Sequence, residues 1–301
     1  IRDQIQKLSS SESRIFINGP TGSGKELVAR KIHKNSIRKK APFIILNGAL
    51  LDAKKYEMEL FGEEKNNGSI IYGALEKSTG GILLIDEVSE IPLETQSKIL
   101  RVLTDQKFKR INGDHDINVN VRIICSTSKN IYEEIKQGNF REDLFHRLNV
   151  FSISIDPLSK RLEDVPLLVD YFSEQMSKTY NLKEFDLKSH INYLINYNWP
   201  GNVRELRNLI ERIAILSPGN NSETILNIVK ESLKSTISEV FDVNDSLLVP
   251  LKEAREKFEK EYLNTQLNKF GGNISKTAKF VGMERSALHR KLKMLGIKGL
   301  N

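Results

Sequence analysis

One cysteine, Cys125, stands in 301 residues, so no disulfide can close within the chain. Stapled extracellular scaffolds are thereby excluded, and a reducing, cytoplasmic setting is the expectation. Long apolar runs are missing too: none approaches the roughly 18 residues that a membrane helix needs, so no membrane partner is expected. Internal repeats and low-complexity tracts are absent. Hydrophobic residues still make up 39% of the chain, enough for a core, which rules out a disordered or collagenous protein. The first segment, IRDQIQKL, reads as the tail of a helix and begins at Ile1, so a preceding N-terminal portion is expected.

An excess of one sign of charge is missing from most of the chain. The 46 Lys+Arg against 39 Asp+Glu give +7, and the stretch from Leu251 to Asn301 alone holds 12 basic and 5 acidic residues. The first 250 residues are therefore neutral. A neutral body with a basic tail points to a polyanion such as double-stranded DNA as partner.

Near-continuous apolar runs at RIFING (Arg14 to Gly19), PFIILN (Pro42 to Asn47), GILLID (Gly81 to Asp86) and VRIICST (Val121 to Thr127) predict parallel strands covered on both faces. Helical stretches such as ETQSKILRVLTDQ lie between them, so residues 1–157 read as a parallel sheet with helices on both sides. Strand signals stop near Leu158, and residues 158–235 read as a small helical domain. Trp199-Pro200-Gly201-Asn202 serves there as breaker and cap. The polar stretch after Ser217 suggests at most a short helix, residues 236–250 a linker, and 251–301 three helices.

Gly19-Pro20-Thr21-Gly22-Ser23-Gly24-Lys25 matches GxxxxGK between a strand and a helix. Glycines let backbone N–H groups converge on phosphate oxygens, Lys25 adds a point charge, and the helix dipole points the same way. The residue that follows is Glu26 rather than the usual Ser or Thr. The apolar strand GGILLIDE would carry Asp86 and Glu87 to the sheet's carboxyl edge. There Asp86 would hold Mg2+ beside ATP and Glu87 would act as general base toward the attacking water.

In the tail, Asn273 caps the segment ISKTAKFV, Gly282-Met283 makes a turn, and Arg285 and Ser286 open a second helix. Ala278, Val281, Leu288, Leu292 and Leu295 have the spacing of two packed helices. Base-edge contacts would come from Arg285, Ser286 and His289, and phosphate contacts from Lys276, Lys279, Arg290, Lys291 and Lys293. The segment from Lys252 to Lys269, with Phe258, Tyr262 and Leu267 near helical spacing, is expected to form a dimer contact for a palindromic site.

GPTGSGKE, ELFG, GALEKSTGGILLIDEV, FREDLFHRLNV and WPGNVRELRNLIER, in this order, resemble the AAA+ domain of sigma-54-dependent transcriptional activators, the bacterial enhancer-binding proteins. The rest resembles their Fis-type helix-turn-helix. Within the family, VGMERSALHRKLKMLGI is most similar to NtrX-type response regulators. The resemblance implies an AAA+ ATPase core with a helical lid and an all-α DNA reader, and it makes Glu26 the usual residue after the lysine. It implies that Asn47 is a switch residue holding Glu87 off the water. Thr127, with Ser128, would stand at the sensor position, and Arg204 would be the lid arginine. Arg141 and Arg147 would be offered to a neighbouring subunit's ATP within a dimer-to-hexamer assembly. It further implies a preceding receiver domain addressed by a sensor histidine kinase.

The family carries GAFTGA after ELFG to touch sigma-54. Here EEKNNGSIIY fills the interval between Gly62 and Gly73, so contact with sigma-54 RNA polymerase is doubtful, although a flexible tip at Asn66-Asn67-Gly68-Ser69 is expected. The leading expectation is an ATP-hydrolysing, DNA-binding regulator. A protein-remodelling ATPase with a basic adaptor tail, and a repressor with a merely structural ATP site, are the alternatives.

Overall fold

In chain order the α/β part comprises α1 (Arg2–Ser9), β1 (Ile15–Asn18), α2 (Lys25–Asn35), β2 (Phe43–Asn47), α3 (Ala53–Phe61), β3 (Gly62–Glu64), β4 (Ile70–Tyr72), α4 (Ala74–Lys77), β5 (Ile82–Asp86) and α5 (Leu93–Asp105), then β6 (Lys107–Phe108), β7 (Ile117–Asn118), β8 (Arg122–Thr127), α6 (Ile131–Lys136), α7 (Glu142–Leu148) and β9 (Phe151–Ser154). The computed structural model describes residues 1–50, 53–182, 187–217, 221–237, 255, 259–260, 262–267, 270 and 272–295.

The main sheet has the order β2-β5-β8-β1-β9 with every neighbouring pair parallel. Alternate side chains go to opposite faces. Phe16, Leu83, Ile85, Ile123 and Cys125 join a core beneath α3, α5 and α7. Ile15, Ile17, Ile82, Leu84 and Ile124 join a second core beneath α1 and α2. Each such side chain, fully withdrawn from water, contributes about 1.5–3 kcal/mol. Burial also pushes the Cys125 thiol well above its ordinary value, as befits a small core residue.

All four predicted strands are present. The edge strand β9 escaped sequence reading because Ile153 alone among its residues is buried, so it has no continuous apolar run. Parallel pairing brings the ends of four strands to one edge, where Gly19 follows β1 and Asn47, Asp86 and Thr127 end β2, β5 and β8.

Where a flexible tip was expected, β3 and β4 form an antiparallel hairpin. Lys65 N–H donates to Ser69 O (2.9 Å), and Asn67 Oδ1 accepts from Ser69 N–H (3.0 Å) and Oγ–H (2.7 Å), closing the turn. A second hairpin, β6 with β7, is sewn to the first. Ile111 N–H donates to Gly62 O and Glu64 N–H donates to Ile111 O, both at 3.0 Å. Arg110 donates to Glu64 (2.8 Å) and to both oxygens of Glu76 (2.8 and 2.6 Å), with its guanidinium over the Tyr72 ring. These carboxylates hold the Arg110 pKa above its ordinary value.

Helices follow: α8 (Asp164–Tyr180), α9 (Ile191–Ile195), α10 (Asn202–Leu216) and α11 (Ser222–Ile237). The polar stretch after Ser217 therefore leads into 16 helical residues rather than a short helix. Asn221 Oδ1 accepts from Glu223 and Thr224 N–H, and Ile225, Ile228, Val229 and Leu233 are buried. Ile1–Thr179 with Asn198–Glu211 forms one compact unit, and Tyr180–Tyr197 with Arg212–Asn301 a second. Most of the expected linker, from residue 238 onward, lies outside the described residues, as does much of the segment from Lys252 to Lys269. Of the three side chains expected at a dimer contact, Phe258 lies outside them. Leu267 is buried with Leu263 against Ala278, Leu288 and Leu292, so it belongs to the tail's own core and not to a dimer face. Tyr262 is partly exposed.

Candidate functional site

Gly22 (φ +78°) and Gly24 (φ +104°) bend the segment after β1 into a cradle, and α2 starts there without a side chain accepting from its first N–H groups. A Cβ built on Gly24 would meet nothing within 4 Å, so open space faces the bare helix N-terminus. Such an end attracts anions, because its N–H groups lack partners and its dipole is positive. Ser23 Oγ is buried with no partner among the described residues.

Lys25 Nζ donates to Gly19 O (3.0 Å) and lies 3.1 Å from Glu87 Oε1, the two side chains being 7% and 14% exposed. Glu87 Oε2 accepts from Ser128 N–H and from Ser128 Oγ–H, both at 2.8 Å. Asp86 Oδ1 accepts from Ser126 Oγ–H, and Ser89 Oγ pairs with Thr127 Oγ1 at 2.8 Å. Three consecutive hydroxyl residues at the end of β8 thus grip the segment that leaves β5.

Glu26 faces away from the cradle, half-exposed and ion-paired with Arg30 at 2.7 Å. Asn47 lies in register beside Asp86, but its Oδ1 accepts from Ala49 N–H (2.9 Å). The expected grip of Asn47 on Glu87 is not seen. The turn into Gly48 takes the amide oxygen, and Lys25 and Ser128 take the carboxylate.

The start of α10 closes the other side. Asn202, held at φ +54°, donates to Thr21 O (3.0 Å) and accepts from Leu158 N–H (2.8 Å). A Cβ on Gly22 would meet Gly201 O at 2.3 Å and Arg204 Cβ at 3.1 Å, so Arg204, exposed, is anchored against the loop. Arg161 donates to Ser23 O (3.0 Å). Ser126, Arg161 and the loop-binding role of Asn202 were missed in the sequence. A run of hydroxyls ending a strand is a signal only once its neighbouring strand is known.

Arg141 and Arg147 are not brought to this loop. Arg141 donates to both oxygens of Asp143 (3.0 and 2.7 Å) and to Ser97 Oγ (3.2 Å), and so holds the Asp143 carboxyl below its ordinary range. Arg147 reaches Thr104 Oγ1 at 3.5 Å from the last turn of α7.

Among the described residues no three His, Cys, Asp or Glu side chains converge on one point. The Asp86 carboxylate at the mouth of a phosphate cradle nevertheless fits Mg2+, which is held by one or two carboxylates with the remaining positions left to phosphate and water.

In the tail, Asn273 Oδ1 caps the helix Ile274–Val281 through Lys276 N–H (3.0 Å), and Gly282 at φ +73° turns the chain into the helix Arg285–Met294. Thr277, Ala278, Leu288 and Leu292 are buried, with Val281 and Leu295 packed against them. Lys276, Lys279, Arg285, Ser286, His289, Arg290 and Lys293 are exposed as expected. Lys291 departs from expectation: it is drawn back to Glu259 at 2.9 Å and is one-third exposed. Among the described residues no helix is long and apolar enough to cross a membrane.

Comparison with known proteins gives concordant results. Residues 1–154 match the sigma-54 interaction domain, 159–238 the AAA+ ATPase lid domain, and 254–295 the bacterial regulatory protein Fis family. The chain is 46% identical over 303 residues to the nitrogen assimilation regulatory protein NtrX of Azorhizobium caulinodans, covering 99% of this chain and 67% of that protein. It is 46% identical to a putative response regulator, NtrX-like, of Rickettsia typhi, covering 98% and 64%. The chain therefore spans about two thirds of the length of these relatives. Among solved structures, NtrX from Brucella abortus in complex with ADP aligns with a TM-score of 0.75 at 46% identity, covering 98% of this chain and 67% of that one. The same protein in complex with ATP gives 0.73 at 47%, covering 98% and 66%. The chain belongs to the family of AAA+ transcriptional regulators built on the sigma-54 interaction domain and closed by a Fis-type helix-turn-helix, and within it to the NtrX-like response regulators.

Proposed function

We propose that this protein binds ATP with Mg2+ in the cradle between Gly19 and Glu26, hydrolyses it, and uses the nucleotide to govern how its basic tail occupies duplex DNA. One observation carries the reading: Lys25, buried at a bare helix N-terminus, sits within 3.1 Å of the strand-end carboxylate Glu87. That is a cation for the phosphates and a base for the water in one contact. The ADP and ATP complexes of Brucella abortus NtrX support it by similarity.

Bound Mg2+ would neutralise phosphate charge, and Asp86 would hold it. Gly22 and Gly24 leave room for phosphate oxygens, Lys25 binds them, and Glu87 takes the water's proton. Arg204, anchored against the loop, reports the nucleotide to the helical lid, residues 158–235. Thr127 is spent on Ser89, so it orders the carboxyl edge.

The reading places Arg141 and Arg147 on a neighbouring subunit's triphosphate, as charge stabilisation in trans. Among the described residues no carboxylate pairs with Arg147, and it repels Arg14 enough to lower the Arg14 pKa, after burial itself. An anion from outside the protomer would relieve both. Direct remodelling of sigma-54 polymerase is left out of the proposal, because the Gly62–Tyr72 hairpin lacks GAFTGA and is closed and clamped. In the tail, Arg285, Ser286 and His289 face base edges, while Lys276, Lys279, Arg290 and Lys293 face phosphates.

The test is ATPase activity measured against protein concentration, with and without palindromic duplex. Specific activity should rise cooperatively, and Lys25→Ala should abolish it. A protein that retains no ADP or ATP in the presence of Mg2+ refutes the reading.

A further inference from the structure

We propose that the ATPase body carries a second surface for the backbone of duplex DNA, made by Lys31, Lys34, Lys39 and Lys40 on the second half of α2 and the turn that follows it. The inference rests on the reading that the tail binds duplex, and it adds a contact that the tail does not make.

The first 250 residues are neutral in sum but not throughout. Between Glu26 and Asp52 there is no acidic residue, while Arg30, Lys31, Lys34, Arg38, Lys39 and Lys40 all fall there. The two arginines are used inside the protein. Arg30 pairs with Glu26 at 2.7 Å and lies over the Phe43 ring. Arg38 donates to Glu12, to Gly81 O and Asn120 O (both 3.1 Å) and to Asn120 Oδ1 (2.8 Å). The four lysines are exposed, and among the described residues no carboxylate pairs with any of them.

The turn that presents Lys39 and Lys40 is fixed. Ser36 N–H and Oγ–H both donate to His33 O (3.0 and 2.8 Å), and Arg38 N–H donates to Ser36 Oγ (3.1 Å). Lys39 N–H donates to Ser36 O (3.2 Å), Ala41 N–H to Arg38 O (2.9 Å), and His33 Nε2 meets Ala41 O at 3.0 Å. The Arg38 fork then ties the turn to Gly81 and Asn120, which stand just before β5 and β8. The surface therefore lies toward the amino edge of the main sheet, away from the phosphate cradle at the carboxyl edge. Lysines on a backbone already ordered lose less entropy when they meet a ligand. Ile37 in the same turn is 74% exposed and offers an apolar face that deoxyribose carbons can cover.

Helix chemistry accounts for one of the four. A cation in the last turn of α2 offsets the helix dipole, which suits Lys34. Lys31 sits a turn earlier, where it repels Lys34 at i,i+3 spacing, and Lys39 and Lys40 lie beyond the helix. The choice of residue favours phosphate over carboxylate. Lysine is a point charge that meets phosphate without a set geometry, whereas a carboxylate is gripped better by the planar fork of arginine. Here the arginines are turned inward and the outward set is all lysine. Duplex presents one charge per roughly 1.7 Å of its axis, so scattered point charges find partners in any register. A duplex held by the tail also raises the local concentration of phosphate around the rest of the chain.

The test uses the whole chain and a random-sequence duplex, with binding followed by fluorescence anisotropy from about 50 to about 200 mM salt. Replacing Lys31, Lys34, Lys39 and Lys40 together by glutamine should flatten the slope of log K against log salt by about 3–4, at about 0.9 per phosphate contact, and weaken binding at least roughly tenfold at the lower salt. The Kd for ADP should stay within about twofold of wild type, because the cradle lies at the other edge. A control with equal loss of charge, Lys65, Lys109, Lys136 and Lys160 replaced by glutamine, should change the slope by less than about 1. A tail variant, Arg285→Ala with Arg290→Ala and Lys293→Ala, should keep a residual binding that the four-lysine substitution then removes. The proposal is overturned if the four-lysine variant keeps the wild-type slope and affinity, as a surface made for an acidic protein would, or if the control set flattens the slope as much. Failure of the underlying reading of the tail looks different, because the tail variant would then bind as well as wild type.

Discussion

Replacing Gly22 and Gly24 by alanine, one at a time, separates two reasons for a glycine in the phosphate loop. Both have positive φ, +78° and +104°, where an alanine Cβ costs about 1–2 kcal/mol. They differ in surroundings. A Cβ on Gly24 points into open space, whereas one on Gly22 would lie 2.3 Å from Gly201 O and 3.1 Å from Arg204 Cβ. The first of these is backbone, in a segment pinned by the hydrogen bond from Asn202 to Thr21 O, so it cannot simply rotate aside. Forcing it away adds an overpacking cost of about 1–3 kcal/mol. Gly24→Ala should therefore destabilise the nucleotide-free protein by about 1–2 kcal/mol and Gly22→Ala by about 2–5 kcal/mol. Urea unfolding followed by tryptophan fluorescence is well placed to read this. Trp199, the single tryptophan, is 1% exposed and lies three residues before Asn202. Equal losses for the two variants would show that the Gly201–Arg204 segment does not rest on the loop, and the anchoring of Arg204 would fall with it.

Two further outcomes follow from charge placement. Arg110→Ala leaves Glu64 and Glu76, 27% and 13% exposed, without their shared cation, and should destabilise by about 2–4 kcal/mol. Hydrogen exchange should then quicken in residues 62–72 and 107–118, and unchanged exchange there would refute the clamp. In DNA-binding titrations Arg285→Ala should weaken binding clearly, whereas Lys291→Ala should leave the salt dependence nearly unchanged because Glu259 holds Lys291. Lys291 first, then Arg255, lowers the Glu259 pKa, so that contact persists below the ordinary value of 4.5 and is lost only as pH falls through the folded pKa. Carboxyl NMR of Glu259 in wild type and Lys291→Ala checks the sign: the variant should titrate at higher pH.

Sequence alone reached as far as its signals were local. Apolar runs gave β1, β2, β5 and β8, because a strand covered on both faces needs no polar residues, and the glycine spacing located the cradle. β9 stayed hidden because an edge strand buries a single residue here. The first hairpin was hidden because its three-residue strands are held by Arg110 and Ile111, which lie some 40 residues further along the chain, and the second because two-residue strands leave no pattern to read. Partners of site residues were the least legible. Nothing in STS says that Ser128 rather than Asn47 would hold Glu87, since that depends on β5 and β8 being neighbours. In the tail, spacing found the paired helices but could not say that Leu267 would be spent inside the module.

The position of Arg147 bears on why the proposed chemistry needs more than one protomer. The cradle follows β1 at its carboxyl end, where Asn18 pairs with Ser154 of β9. Arg147 lies before the amino end of the same β9, whose first residue Phe151 pairs with Ile15. Three residue rises of a parallel strand separate the two levels by about 10 Å. Thr104, which Arg147 touches, lies in the last turn of α5, and the chain returns from there to the amino end of β8. Arg147 therefore faces the edge of the sheet opposite to its own Lys25, beside Arg14 and with no carboxylate to neutralise it among the described residues. A guanidinium so placed cannot stabilise charge on the nucleotide its own loop binds. If it contributes to hydrolysis, a second copy must present the phosphate. Arg147→Ala protein, inactive alone, should then regain activity when mixed with Lys25→Ala protein, and a mixture no more active than its parts would remove the argument for catalysis in trans.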